Sequence, residues 1–299
     1  MTAVTSAAPD RPQFEPQLMR RRLSGTIFLG LCLLAIGILL IALVLLLYDV
    51  LREGLHWLDV DFLTGVPSRR PAEAGILPAL IGSIEIMLIV GLVAFPVGVG
   101  AAIYLQEYAR DSFVTRLLQT NISNLAGVPS IIYGIFGLAL FVHALGLGYT
   151  IISGALTLAL LILPVVILAT IEALRAVPDS QREGAYALGA SRWQMVSRSI
   201  TPAAAPGIMT GIILAMARAI GEAAPLILIG AVTFVTFLPQ PLQGGYTVLP
   251  IQVFNWASRP QAGFQGIAAA TIIVILVLIL LLNALALIVR ARLSRHIQW

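Results

Sequence analysis

Two charged residues lie inside an otherwise apolar stretch of this chain. Arg218 and Glu222 are four residues apart, so on a helix they would share one face. A charge in a membrane-spanning helix is costly, faces protein or water, and often marks a transport path. Arg218 could attract an anion, and Glu222 would keep that anion from being held too tightly. Glu85, in an earlier apolar run, is a further candidate partner of Arg218. The alternative is a structural ion pair that fixes helix packing.

A second group of residues occupies a short polar loop between two apolar runs. The spacings Ser180–Glu183 and Ser191–Gln194 are typical of capping boxes, which begin helices. Gly189 can end the first helix in a left-handed conformation, and the second helix should end before Pro202. The pattern predicts a compact helix–turn–helix that protrudes from the apolar part of the protein. Ala185 and the residues around it are suited to fill a groove on another protein.

The composition excludes a soluble domain. Of the 299 residues, 59% are hydrophobic and 11% are charged, whereas soluble proteins carry roughly 25% charged residues. All 18 basic residues are Arg, and without Lys no phosphate-binding P-loop can form. Any ATP-driven work must therefore come from a partner. The single Cys32 excludes an intrachain disulfide, and we expect no metal cluster, no cofactor and no nucleic-acid partner.

The distribution of apolar runs predicts an all-α polytopic membrane protein with six transmembrane helices. The predicted spans cover residues 24–48, 75–104, 127–145, 150–171, 206–237 and 266–289. Gly146 and Gly148 divide the third span from the fourth. Polar tails at 1–22 and 293–299 flank a transmembrane domain at 23–292, and the polar loop takes up residues 173–205.

The Arg residues indicate the orientation of the chain. Six spans place both termini and the polar loop on the same side. That side carries 13 Arg residues and the opposite side carries 4, which by the positive-inside rule makes the first side cytoplasmic. We therefore expect both termini and the loop on the cytoplasmic side of a bacterial inner membrane.

The polar loop is similar to the coupling loop of importer-type ABC permeases. That loop reads E-A-A, three residues, G, twelve residues, P, and the matching positions here are Glu183, Gly184, Ala185, Gly189 and Pro202. Gly184 replaces the usual Ala, which should weaken the first helix by about 1 kcal/mol. The resemblance implies that the loop receives work from a separate ATPase.

Four further segments resemble the PstA family of phosphate permeases. They are A-A-I-Y-L-Q-E-Y-A (101–109), N-L-A-G-V-P-S-I-I-Y-G (124–134), A-R-A-I-G-E-A-A-P-L (217–226) and L-P-I-Q-V-F-N-W-A-S-R-P (249–260). The resemblance covers most of the chain. It implies a membrane-embedded permease subunit paired with a second, similar permease, two copies of an ATP-binding cassette ATPase and an extracytoplasmic phosphate-binding protein.

The leading hypothesis is the membrane subunit of an ATP-driven phosphate importer, which is not itself an enzyme. A permease for another oxyanion, such as molybdate, sulfate or phosphonate, is the nearest alternative. A secondary transporter driven by an ion gradient would favour an inverted repeat, which the sequence does not clearly show. A membrane scaffold without a transport path would leave Arg218 and Glu222 unexplained.

Overall fold

The computed structural model describes residues 18–231, 234–239 and 244–294, and these residues are mainly helical. The helices are α1 (Leu18–Gly54), α2 (Val60–Thr64), α3 (Leu77–Ile103), α4 (Phe113–Ala126), α5 (Ser130–Gly137), α6 (Ile151–Arg175), α7 (Asp179–Ala187), α8 (Arg192–Met195), α9 (Thr201–Ile220), α10 (Ala224–Leu228), α11 (Leu249–Ala257) and α12 (Ala262–Ser294). Three wider π-helical turns continue α3, α5 and α8, at Tyr104–Tyr108, Leu138–Ala144 and Val196–Ile200. Within the described ranges, β pairing is limited to one bridge between Ala231 and Tyr246. The predicted all-α fold is confirmed.

The chain divides into two compact units, residues 1–49 and 50–299. The first unit contains most of α1, whose apolar side chains are exposed along its length. Residues 18–22, which the sequence places in the N-terminal tail, are already helical, and residues 1–17 and 295–299 of the predicted tails lie outside the described part. The second unit contains the remaining helices and the apolar core.

Five helices in the described residues are long and apolar enough to cross a membrane, and a bent pair brings the number to six. The five are Arg22–Trp57, Leu77–Tyr108, Ile151–Arg175, Arg192–Ile220 and Ala262–Arg292. Four of them correspond to the predicted first, second, fourth and sixth spans, and the first helix extends nine residues beyond its predicted end. The turn between the third and fourth spans is also as predicted, because Gly146 and Gly148 adopt positive φ angles of 65° and 68°.

The predicted third span, residues 127–145, corresponds to the helix Ser130–Ala144, but a further helix that the sequence did not predict precedes it. The helices Phe113–Ala126 and Ser130–Ala144 meet at an angle of 104°. Pro129 disfavours a helical conformation of the residue before it and stands as the N-cap of α5. The Tyr133 hydroxyl donates a hydrogen bond of 2.9 Å to the carbonyl oxygen of Leu125, across the bend. The bend is thus held by the N-L-A-G-V-P-S-I-I-Y-G segment.

The predicted fifth span, residues 206–237, is wrong at both ends. The helix begins at Arg192 and ends at Ile220. Beyond it, Pro225 begins the five-residue α10, and Gly230 has a φ of 74° that ends regular helix. Hydropathy did not reveal this end because the residues after it are as apolar as the helix itself.

The core of the second unit lies between α3, α6 and α9. Glycines allow these helices to approach closely, as is usual where transmembrane helices pack. A Cβ atom on Gly98 would lie 2.7 Å from Cγ1 of Val166, and one on Gly207 would lie 2.8 Å from Cβ of Ala173. On the other side of α3, Ser83 Oγ accepts a hydrogen bond of 2.9 Å from the Leu249 N–H and joins α11 to the core.

Candidate coupling loop and membrane charges

The first helix of the predicted loop is α7, and its two ends have different determinants. It begins at Asp179, with Pro178 as an N-cap that makes no side-chain bond. The expected capping role of Ser180 is therefore wrong, because the helix starts before it. Gly189 ends the helix as predicted, with a φ of 78°. The N–H of Ala190 donates to the Ala185 carbonyl at 3.0 Å, which completes a Schellman motif.

The second helix of the loop begins with the predicted capping box. The Ser191 N–H donates to Gln194 Oε1 at 2.8 Å, and the Gln194 N–H donates to Ser191 Oγ at 3.3 Å. The helix does not end before Pro202, and this expectation is corrected. The π-helical turn Val196–Ile200 carries it directly into α9, where Pro202 stands in the first turn. Pro202 has no N–H to continue the helical hydrogen bonds, and the wider π-helical turn lies directly before it.

The loop presents several large apolar side chains outward. Leu188 is 90% exposed, Trp193 68% and Tyr186 48%. Glu183 and Gly184 are also exposed, and a Cβ on Gly184 would meet no atom within 4 Å. Ala185 is half-buried against the apolar cluster below the loop, so it contributes to internal packing as well as to the surface.

Arg182, which the sequence suggested only as one of the topogenic basic residues, occupies the centre of the loop. Its Nη2 donates to Glu107 Oε1 at 2.7 Å and its Nε donates to Oε2 at 3.3 Å, so the ion pair is bidentate. The remaining donors reach the carbonyl oxygens of Leu174 and Val177 at 3.0 and 2.9 Å, and Asp179 Oδ1 at 3.1 Å. All five guanidinium N–H groups therefore have acceptors.

Burial makes this ion pair unusual. The Glu107 side chain is 5% exposed and the Arg182 side chain 17%. The hydrogen bonds that Arg182 donates to Glu107 raise the pKa of the Arg182 guanidinium above its ordinary value, against the opposing effect of burial. The sequence analysis did not predict that Arg182 and Glu107 form an ion pair. The available signal was an acidic residue, Glu107, within the resemblance segment 101–109.

The predicted charges Arg218 and Glu222 do approach each other, although not on a helix face. Arg218 lies in the last turn of α9, and Glu222 follows the C-cap residue Gly221. Arg218 Nε lies 3.6 Å from Glu222 Oε1, with the side chains 43% and 19% exposed. A guanidinium that is nearly half exposed retains donors for a further anion.

The structure does not join Glu85 to Arg218. Among the residues that the structure describes, Glu85 is in no ion pair, and its Oε2 is buried without a hydrogen-bond partner. Glu85 lies in α3, within the second span. Its predicted place on a transport path remains a prediction.

Two of the segments that carry the resemblance pack against each other. Gly134, in the segment 124–134, approaches α10 so closely that a Cβ atom would lie 2.7 Å from Cα of Pro225. Pro225 belongs to the segment 217–226, which also contains Arg218 and Glu222. The bend at Pro129 and the end of α9 at Gly221 are therefore parts of one packed region.

The long apolar helices and the helical loop between the fourth and fifth spans are the features expected of an ABC importer permease. The chain belongs to the family of binding-protein-dependent transport system inner membrane components, whose model matches residues 94–295. It is a multi-span transport subunit of that family, and the predicted resemblance to PstA permeases is confirmed.

Several curated relatives cover most of the chain. The phosphate transport system permease protein PstA 1 of Mycobacterium tuberculosis is 34% identical over 293 residues, which are 94% of this chain and 93% of the relative. The phosphate transport system permease protein PstA of Yersinia pestis is 34% identical, with 84% of each chain covered. The probable ABC transporter permease protein YqgI of Bacillus subtilis is 39% identical, covering 72% of this chain and 73% of the relative.

Solved importers share the fold. A chain of a bacterial alginate ABC transporter, in complex with an alginate-bound periplasmic protein, matches with a TM-score of 0.63, 14% identity and coverage of 94% of this chain and 98% of that one. A chain of the inward-facing methionine transporter MetNI matches with a TM-score of 0.57, 16% identity and coverage of 75% and 96%. At these identities the likeness concerns the fold alone.

Proposed function

We propose that this chain is a membrane-spanning subunit of an ATP-driven phosphate importer. The observation that carries the proposal is the end-to-end likeness to the M. tuberculosis phosphate permease, at 34% identity over 94% of this chain. The likeness includes no large unmatched region in which a different substrate path could lie. The chain hydrolyses no ATP itself in this proposal, and the work is supplied by a partner.

The loop around α7 and α8 is the proposed contact with the ATPase. Leu188 and Trp193 stand out from it, at 90% and 68% exposure. Isolated large apolar side chains on a protruding loop are suited to a pocket on a partner, where buried aromatic and aliphatic anchors contribute most of the binding energy. Glu183, which is also exposed, would face the same partner.

Arg218 is the proposed anion-attracting group of the transport path. Its guanidinium is 43% exposed and Glu222 is its ion-pair partner. An anion that approaches Arg218 would compete with Glu222 for it, so binding would be weak enough to permit release. The remaining partners proposed are a second, similar permease subunit and an extracytoplasmic phosphate-binding protein.

The proposed orientation places the loop and both chain ends in the cytoplasm. It can be tested with single cysteines in a Cys32→Ser background. A membrane-impermeant maleimide added to intact spheroplasts should label Ser258→Cys, on the opposite side, and leave Ser180→Cys in α7 unlabelled. Labelling of Ser180→Cys in intact spheroplasts would show that the true orientation is the opposite of the proposed one.

Phosphate uptake tests the substrate. Cells that lack the chain should regain uptake of labelled phosphate, at low external phosphate, when the wild-type chain is restored, and should not regain it with Arg218→Ala. Excess unlabelled molybdate, sulfate or phosphonate should leave this uptake unchanged. Uptake that does not depend on the chain, or that another oxyanion suppresses, would contradict the phosphate assignment.

The source of energy can be tested in the same cells. ATP depletion should abolish uptake, and collapse of the ion gradient at constant ATP should not. In detergent extracts, the wild-type chain should retain the ATPase and Leu188→Glu should lose it. Uptake that follows the ion gradient would favour a secondary transporter instead.

A further inference from the structure

The C-terminal end of the second span contacts the loop through three consecutive residues. Gln106 Oε1 accepts a hydrogen bond of 3.2 Å from Arg175 Nε. Glu107 forms the bidentate ion pair with Arg182. The Tyr108 ring lies under the Arg192 guanidinium, 5.1 Å from its carbon atom. Each residue of this short row thus meets one Arg of residues 175–192.

Of these three contacts, only the one between Glu107 and Arg182 is protected from water. Arg175 is 48% exposed and Arg192 is exposed, whereas Arg182 is 17% exposed. An exposed ion pair adds little to rigidity because water and salt screen it. A buried, bidentate pair holds both distance and direction.

The same guanidinium also fixes α7 to the fourth span. Its bonds to the carbonyl oxygens of Leu174 and Val177 lie in the last turn of α6 and just beyond its C-terminal end. Three elements therefore meet at Arg182: the end of α3 with its π-helical turn, the end of α6, and α7. An apolar cluster that includes Leu174, Met195 and Ile200 fills the space beside them.

We propose that Arg182 and Glu107 are positioning residues that transmit movement of the loop to the second span. The proposal rests on the proposed function, in which the ATPase moves the loop. A displacement of α7 would carry Arg182 with it, and the bidentate pair would carry Glu107 and the helix Leu77–Tyr108. That helix packs closely on the fourth span, where Gly98 meets Val166, so the two spans move together.

Two adjacent residues of α7 have different proposed roles, one toward the partner and one within this chain. Glu183 is exposed and faces outward toward the proposed partner. Arg182 faces inward and is fully used by acceptors of this chain. Lysine at position 182 could not replace it, because an ammonium group has three donors and cannot form the planar two-point contact.

The test compares transport with ATP hydrolysis in the complete importer, reconstituted in proteoliposomes with its ATPase and binding protein. For Arg182→Lys and Glu107→Gln, we expect phosphate uptake per ATP hydrolysed to fall about tenfold, within the range by which residues along a coupling chain act. The double variant should lose no more than either single variant. Arg175→Lys, at an exposed ion pair, should stay within about twofold of the wild type.

Equal losses of uptake and ATP hydrolysis would overturn the proposal, because the pair would then only support the fold. Unchanged uptake per ATP in both variants would overturn it too. The Leu188→Glu importer separates this proposal from the proposed function: if it retains the ATPase and transports normally, docking through the loop is wrong whatever the Arg182 variants show.

A distance measurement does not depend on the activity of a variant. Spin labels at Tyr104→Cys and Ser180→Cys, both exposed positions, report the distance between the end of the second span and α7 in a Cys32→Ser background. We expect the same distance in the nucleotide-free and ATP-trapped importer, and a broadened distribution in Arg182→Lys. A wild-type distance that changes between the two states would overturn the proposal.

Discussion

Arg218 Nε lies 3.6 Å from Glu222 Oε1, and the helix that carries Arg218 ends between the two residues. Glu222 is therefore held by a short non-helical segment between Gly221 and Ala224, and not by the rigid backbone of α9. Such a segment can move the carboxylate without moving Arg218. In the proposed transport path, an anion that approaches Arg218 would open the pair, which a pair on one continuous helix face would resist.

Replacement of Glu222 by Gln should make release of the anion slower. The amide competes less strongly for Arg218 because a hydrogen bond to a charged group is stronger than one to a neutral group, and we expect turnover to fall about tenfold. The external phosphate concentration for half-maximal uptake should fall as well. Uptake kinetics in whole cells measure both, and Glu73→Gln, at an exposed ion pair on another segment, is the control. A rise in that half-maximal concentration would contradict the interpretation.

Two glycines of the loop should respond oppositely to alanine. Gly189 has a φ of 78°, which an L-residue adopts at a cost of about 1 kcal/mol. Gly184 is helical and open on its side-chain face, so Gly184→Ala should stabilise α7 by about 1 kcal/mol. Proteolysis of the loop in purified protein should be faster for Gly189→Ala and slower for Gly184→Ala. Equal rates would show that the loop does not open at α7.

Some features of the fold could be predicted from the sequence and others could not, depending on whether apolar runs or turn residues mark them. Long uncharged runs located most spans, because each must bury a length of backbone that the bilayer fixes. Turn chemistry located Gly189 and the Ser191–Gln194 box, because each depends on a few adjacent residues. The end of α9 was missed because apolar residues continue beyond it, and the bend at Pro129 was missed because the apolar run continues through the proline.

The pair of Arg182 and Glu107 was beyond local reasoning. The two residues are 75 positions apart, and neither has a spacing that points to the other. Only the packing of α7 against the ends of α3 and α6 brings them together. The sequence shows Gly207 and Gly211 at the spacing of a small-residue packing motif. It does not show which surface of α6 packs against that motif.

The bend between α4 and α5 should depend on Tyr133. Its hydroxyl donates to the Leu125 carbonyl at 2.9 Å across the break, and Tyr133→Phe would remove this hydrogen bond at a cost of about 1 kcal/mol. Thermal unfolding in detergent should show a lower midpoint for Tyr133→Phe than for the wild type. Tyr104→Phe, at a side chain that is 61% exposed, should leave the midpoint unchanged. An equal decrease of the midpoint in both variants would show that the hydrogen bond across the bend has no special effect on stability.

The contact between the fourth and fifth spans should tolerate added side-chain volume poorly. Gly207 and Gly211 lie on one face of α9 and meet Ala173 and Ala169 of α6. A Cβ on Gly211 would overlap that of Ala169, so Gly211→Val must separate the helices and should destabilise the protein by about 1–3 kcal/mol. Gly100→Val adds the same side chain where no atom lies within 4 Å and is the matched control. Thermal unfolding of both variants in detergent gives the comparison, and equal midpoints would mean that the two spans are not closely packed in the native protein.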